Sequence, residues 1–118
     1  VSGLSQLEVD AYNAPFPTEK FKAGARQFPV LVPSSKEDPA RKNQLAAWEV
    51  LKKWEKPFLT CFSDQDPIMK NGEKIFIKLI PGAQRQNHFI TKNAGHFLQE
   101  DDGVNLAKAM VNLIQSLS

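Results

Sequence analysis

Cysteine is almost missing from this chain. Cys61 is the single one in 118 residues, so no internal disulfide framework can staple the fold. With only two histidines beside it, a cysteine-built zinc site is excluded as well, and no cofactor or metal is expected. Long apolar runs are also lacking: none approaches the ~20 residues that a membrane-spanning helix needs, so no membrane partner is expected. Nor is there an excess of one charge. Fifteen Lys+Arg against thirteen Asp+Glu leave a formal charge of +2, and the basic residues are scattered rather than gathered into a footprint for nucleic acid. The first residues, Val1-Ser2-Gly3-Leu4, have neither the basic start nor the apolar stretch of a secretory signal, which gives the expectation of a cytoplasmic protein. The first residue is not Met, which fits a partial product.

What the chain does have is a hydrophobic share of 42%, with eight Phe and two Trp, enough to build a core. Ser5 and Glu8 stand at capping-box spacing and predict a short helix over 5–12, which Pro15 and Pro17 end. A second helix is predicted from Thr18 to about Val32, weakened by Gly24 and Pro29. Pro33 to Asp38 reads as a polar connector. From Pro39 to Trp54 the apolar residues Leu45, Trp48, Leu51 and Trp54 recur every three positions, with Asp38 as N-cap and Pro39 at the first helical position. This is an amphipathic helix whose tryptophans are core or helix-packing residues.

After Pro57, the run Phe58-Leu59-Thr60-Cys61-Phe62 predicts a strand buried on both faces, with Cys61 as a small buried hydrophobe. A short helix over Gly72 to Ile80 follows, stopped by Pro81-Gly82. Then come a second strand over His88 to Lys92 and a closing helix over Asp102 to Leu117. Helix, strand, helix, strand, helix is the order of an α/β fold with a parallel sheet. Two strands are too few for a doubly covered sheet, so part of the sheet is expected to come from elsewhere.

Ligands and catalytic groups in such sheets gather at the carboxyl ends of the strands. The first strand runs into Ser63-Asp64-Gln65-Asp66-Pro67 and the second into Asn93-Ala94-Gly95-His96-Phe97, so an acid and a histidine occupy neighbouring strand ends. A carboxylate accepting from one imidazole nitrogen fixes the tautomer and leaves the other nitrogen free as a base. On these residues alone the acid can equally be a turn or capping residue, and the histidine a structural one.

Gly95-His96-Phe97 after a strand resembles the histidine segment of α/β-hydrolases, and Ser63-Asp64-Gln65-Asp66 resembles their acid turn. Two longer segments are similar to haloalkane dehalogenases. Ala11 to Pro17, with Lys22 to Arg26 and Phe28-Pro29, resembles the late part of their helical cap; Asn93 to Glu100 resembles their histidine motif. The resemblance implies the C-terminal part of an α/β-hydrolase fold: the end of the cap over residues 1–36, then the last two parallel strands and flanking helices over 37–118. It implies Asp66 as catalytic acid and His96 as base, with Asp64 capping the turn. Ser63 stands where that family usually has Gly. Phe28, Pro29, Val32, Ile68, Met69 and Phe97 would line an apolar pocket for a small haloalkane. The implied reaction is hydrolytic dehalogenation through an alkyl-enzyme ester, with water as second substrate.

That fold presents its nucleophile in a G-x-[S/D]-x-G elbow. The six glycines here are separated by 21, 48, 10, 13 and 8 residues, so no pair is four apart and no elbow is present. The nucleophile and the family's halide-binding tryptophans are therefore expected from a missing N-terminal portion, which becomes an implied partner. Trp48 and Trp54 stand at other positions. Two alternatives stay open: an epoxide hydrolase or esterase of the same fold, and a non-enzymatic small α/β interaction domain.

Overall fold

A computed structural model describes residues 3–117. The start of the chain at Val1 lies outside the described residues. They divide into two units, one running to Glu49 and the other from Val50 onward.

In the first unit, α1 (Gln6–Asn13) begins with the capping box that its sequence encodes. The Ser5 backbone N–H donates to Glu8 Oε2 at 2.7 Å, and Glu8 N–H returns to Ser5 Oγ at 3.4 Å. The segment expected as one helix from Thr18 to Val32 is instead a 3₁₀ turn over Glu19–Lys22 followed by α2 (Ala23–Val30). An ion pair from Arg26 of α2 to Glu19 ties the two pieces together, while Lys22 pairs with Glu19 inside the turn.

Helix α3 (Arg41–Leu51) is shorter at both ends than the predicted Pro39–Trp54. Asp38, expected as the cap of a helix from Pro39, accepts the Ala40 N–H on its carboxylate at 2.8 Å in the turn that precedes the helix. Its carbonyl, however, accepts from Arg41 three residues on, so the first turn is wound tighter than α. At the far end Lys53 and Trp54 donate to Val50 and Leu51, again three residues back, and the helix closes before Trp54. Trp54 is thus outside the helix and 39% exposed, not a core residue. The expected apolar stripe is largely uncovered: Leu45 is 51% exposed, while Trp48 and Leu51 are half-buried.

The second unit is built on two parallel strands, β1 (Cys61–Ser63) and β2 (Phe89–Thr91), paired Cys61 with Phe89, Phe62 with Ile90 and Ser63 with Thr91. β1 starts three residues later than its apolar run predicts. The reason lies in the backbone donors. Phe58 N–H goes to Gly82 O at 2.9 Å and Thr60 N–H to His88 Nδ1 at 3.2 Å, so neither joins a strand ladder. Cys61 and Phe62 are half-buried rather than covered on both faces; the partial burial still pushes the Cys61 thiol up, which keeps it protonated.

Helix α4 (Glu73–Leu79) follows β1, and its Phe76 ring stacks with Phe58 at 6.0 Å between centroids. Helix α5 (Leu98–Gln115) packs on both strands. It begins four residues before the predicted Asp102, but Asp102 has a non-helical conformation (φ −153°, ψ 46°) that interrupts it. The Asp102 carboxylate accepts from the Asn105 side-chain amide at 2.8 Å across this interruption. No helix among the described residues is long and apolar enough to cross a membrane.

Candidate active site

Both strands end in turns, and these turns are laced to each other. Asp64 N–H continues the ladder to Thr91 O at 3.1 Å, and Gln65 N–H reaches Ala94 O at 3.1 Å. In return, Asn93 N–H donates to Asp64 Oδ1 at 2.8 Å. Asn93 holds a left-handed conformation (φ 58°), which Asn tolerates better than most residues, and this turns the chain sharply after β2. Asp64 also pairs loosely with Lys92 at 3.7 Å. Its carboxylate is committed to the turn.

Asp66 is the carboxylate that faces His96. Its two oxygens lie 3.1 and 3.0 Å from His96 Nδ1, and the residue is only 5% exposed. One of those oxygens, Oδ1, also accepts the backbone N–H groups of Ile68 at 2.7 Å and Met69 at 3.0 Å. Desolvation pushes the Asp66 pKa up, but the Met69 and Ile68 donors and the His96 ring together outweigh it. The net result is a carboxyl held below the ordinary aspartate value. An ionised Asp66 only accepts, so Nδ1 carries the imidazole proton and the lone pair is on Nε2. The His96 side chain is 40% exposed. A half-open imidazole, oriented by a buried carboxylate and bare at its other nitrogen, can take a proton from water.

Of the apolar residues expected at the site, Ile68, Met69 and Phe97 adjoin the pair. Ile68 and Met69 follow Asp66 in its turn, and the Phe97 ring meets the His96 ring edge-on at 5.1 Å. They are 70%, 41% and 52% exposed. Met69 also borders a groove of about 230 Å³ with Phe58, Phe62 and Phe76. Phe28, Pro29 and Val32 are exposed residues of the other unit.

His88, the other histidine, has a structural role that its sequence position did not reveal. Its Nδ1 accepts the Thr60 N–H, and its Nε2 lies 2.8 Å from Ala83 O. His88, twenty-eight residues away, thus satisfies the N–H of the buried Thr60, while the Thr60 carbonyl accepts from Phe89 of β2 at 3.0 Å. Among the described residues, no three His, Cys, Asp or Glu side chains cluster so as to hold a metal ion.

No protein-family model matches the chain. Curated proteins do. A haloalkane dehalogenase of Psychrobacter cryohalolentis is 56% identical over 114 residues, 97% of this chain and 38% of that protein. A haloalkane dehalogenase of Mycobacterium marinum is 48% identical over 101 residues, and haloalkane dehalogenase 1 of Mycobacterium tuberculosis is 50% identical over 105. These two matches cover 86% and 89% of this chain, and 34% and 35% of the relatives. The matched regions contain the laced turns, the buried acid and the oriented imidazole. Across nearly its whole length the chain is thus a sequence relative of haloalkane dehalogenases, spanning a little over a third of their length.

Proposed function

We propose that this chain supplies the acid and the base of a haloalkane dehalogenase active site, as the C-terminal part of an α/β-hydrolase fold. In that reading, residues 1–36 are the end of a helical cap and 37–118 the end of the core. The nucleophile, the halide-binding groups and the remaining strands come from a preceding part of the same enzyme. The observation that carries the reading is the contact of 3.0 Å between His96 Nδ1 and the buried Asp66 at two adjoining strand ends. The identity of 48–56% to curated haloalkane dehalogenases supplies the reaction class.

The chemistry divides into two steps. An aspartate nucleophile displaces halide from the substrate carbon; a carbon–oxygen bond forms, the carbon–halogen bond breaks, and the halide leaves with the bonding pair. His96 Nε2 then takes a proton from water while the water oxygen bonds to the ester carbonyl carbon, and the resulting imidazolium is stabilised by Asp66. Collapse releases the alcohol and regenerates the carboxylate, and the proton is lost from His96 to solvent. Ile68, Met69 and Phe97 give the apolar surroundings that a small haloalkane needs. Phe28, Pro29 and Val32 keep a substrate-lining role on the strength of the resemblance alone. The same reading makes the protein cytoplasmic.

The test is halide release from a short bromoalkane. It should be at background for the 118-residue chain alone, above background for the full-length protein, and at background again in the full-length His96→Ala variant. Turnover by the isolated chain, or full activity without His96, would refute the assignment.

A further inference from the structure

Gly95 immediately precedes His96, and both of its peptide planes are gripped. A peptide group is rigid, so a hydrogen bond to its oxygen or its N–H fixes the whole plane. The plane joining Ala94 to Gly95 is held at its two ends: Ala94 O accepts from Gln65 N–H at 3.1 Å, and Gly95 N–H donates to Asp101 Oδ2 at 2.7 Å. The plane joining Gly95 to His96 is held by Ser63, whose Oγ donates to Gly95 O at 2.6 Å. Between the planes lies a glycine, the residue whose own φ and ψ restrain the chain least. Ungripped, it would let the exposed His96 ring swing away from Asp66.

The two grips come from different places. Ser63 is 3% exposed at the end of β1, on the strand that leads into the acid's own turn. Asp101 stands in the first turn of α5, just before the interruption at Asp102. Its bond to Gly95 N–H is charge-assisted and bridges six residues. We infer that Ser63 and Asp101 are positioning residues, which hold Gly95 by its carbonyl and its N–H and so fix the imidazole of His96 on Asp66. The kinetic part of this inference rests on the proposed dehalogenase reading; the geometric part does not.

The test uses the intact protein and two readouts. With 15N-labelled histidine, the ring shifts of His96 should report the Nδ1–H tautomer. Ser63→Ala and Asp101→Ala should each shift the population away from it. Ser63→Thr keeps a hydroxyl donor and Asp101→Asn keeps an acceptor oxygen, so each should restore it. In rapid-mixing kinetics with a bromoalkane, the Ala variants should leave the first-turnover release of halide unchanged and slow ester hydrolysis by about 10-fold, so that alkyl-enzyme accumulates. The Thr and Asn variants should again recover.

An unaltered His96 tautomer in both Ala variants would overturn the clamp, as would a change that Thr and Asn do not repair. Equal slowing of both chemical steps would overturn it too, because a merely structural defect has no reason to spare the displacement. If the tautomer responds as expected but even the unsubstituted protein releases no halide, the clamp stands and the dehalogenase reading falls.

Discussion

The two histidines carry their protons on opposite nitrogens, and in each case a partner that cannot change role decides which. The backbone N–H of Thr60 can only donate, so His88 Nδ1 is bare and Nε2–H donates to Ala83 O. An ionised Asp66 can only accept, so His96 is protonated at Nδ1 and bare at Nε2. One ring is consumed by the fold at both ends; the other keeps a nitrogen for chemistry. Because the Asp66 carboxyl is held below its ordinary value, its ionised form favours the folded state. That contribution is complete above the unfolded aspartate value of about 3.9 and is lost as pH falls through the lower folded value. The Asp66 carboxyl carbon, followed by 13C NMR, should therefore titrate below that ordinary value, and Asp66→Asn should reduce the acid sensitivity of unfolding.

Among elements, the link between α4 and β2 is where a single atom decides the outcome. Gly82 N–H donates to Trp54 O at 2.7 Å, and Gly82 O accepts from Phe58 N–H at 2.9 Å, so the approach to β1 is stitched to this turn. A Cβ at Gly82 would lie 1.8 Å from Lys56 O, an overlap that only backbone movement can relieve. Gly82→Ala should cost about 3 kcal/mol or more in urea unfolding and pull β1 out of register with its neighbours. Gly103 is the matched control. It sits in α5 with nothing within 4 Å of an added Cβ, and replacing a helical glycine by alanine removes backbone freedom from the unfolded chain. Gly103→Ala should stabilise by about 0.5–1 kcal/mol.

At the scale of the molecule, the balance between buried and exposed apolar surface governs behaviour. The buried apolar side chains among the described residues are Ile80, Ala83 and Ala94, and only Ile80 is large. On α5, by contrast, Val104, Met110 and Ile114 are all more than half exposed. Full burial of a side chain such as Ile yields about 1.5–3 kcal/mol, whereas ordering each residue's backbone costs about 1–2 kcal/mol. A core this thin leaves the chain marginal by itself. The 118-residue protein should bind the dye ANS strongly, and under the proposed reading the full-length enzyme should not. Weak ANS fluorescence from the chain alone would contradict this account.

Local chemistry was enough for the sequence to determine several features. The Ser5–Glu8 capping box, the helix–strand–helix–strand–helix order from residue 39 onward and the two apolar strand segments depend on residues a few positions apart or on simple periodicity. Asp66 and His96 were legible as a pair because each follows an apolar strand, and parallel neighbours bring their carboxyl ends together. The late start of β1, the early end of α3 and the exposure of Trp54 were not legible. Each is set by where a backbone donor finds its acceptor: His88 for Thr60, Gly82 for Phe58, and a carbonyl three rather than four residues back for Trp54. The grip on Gly95 belongs to the same class. A serine at the end of a strand and an aspartate in a helix's first turn carry no mark of a shared target. Only the tertiary structure decided that they meet at one glycine, because a hydrogen bond is specified by distance and angle rather than by residue type or spacing.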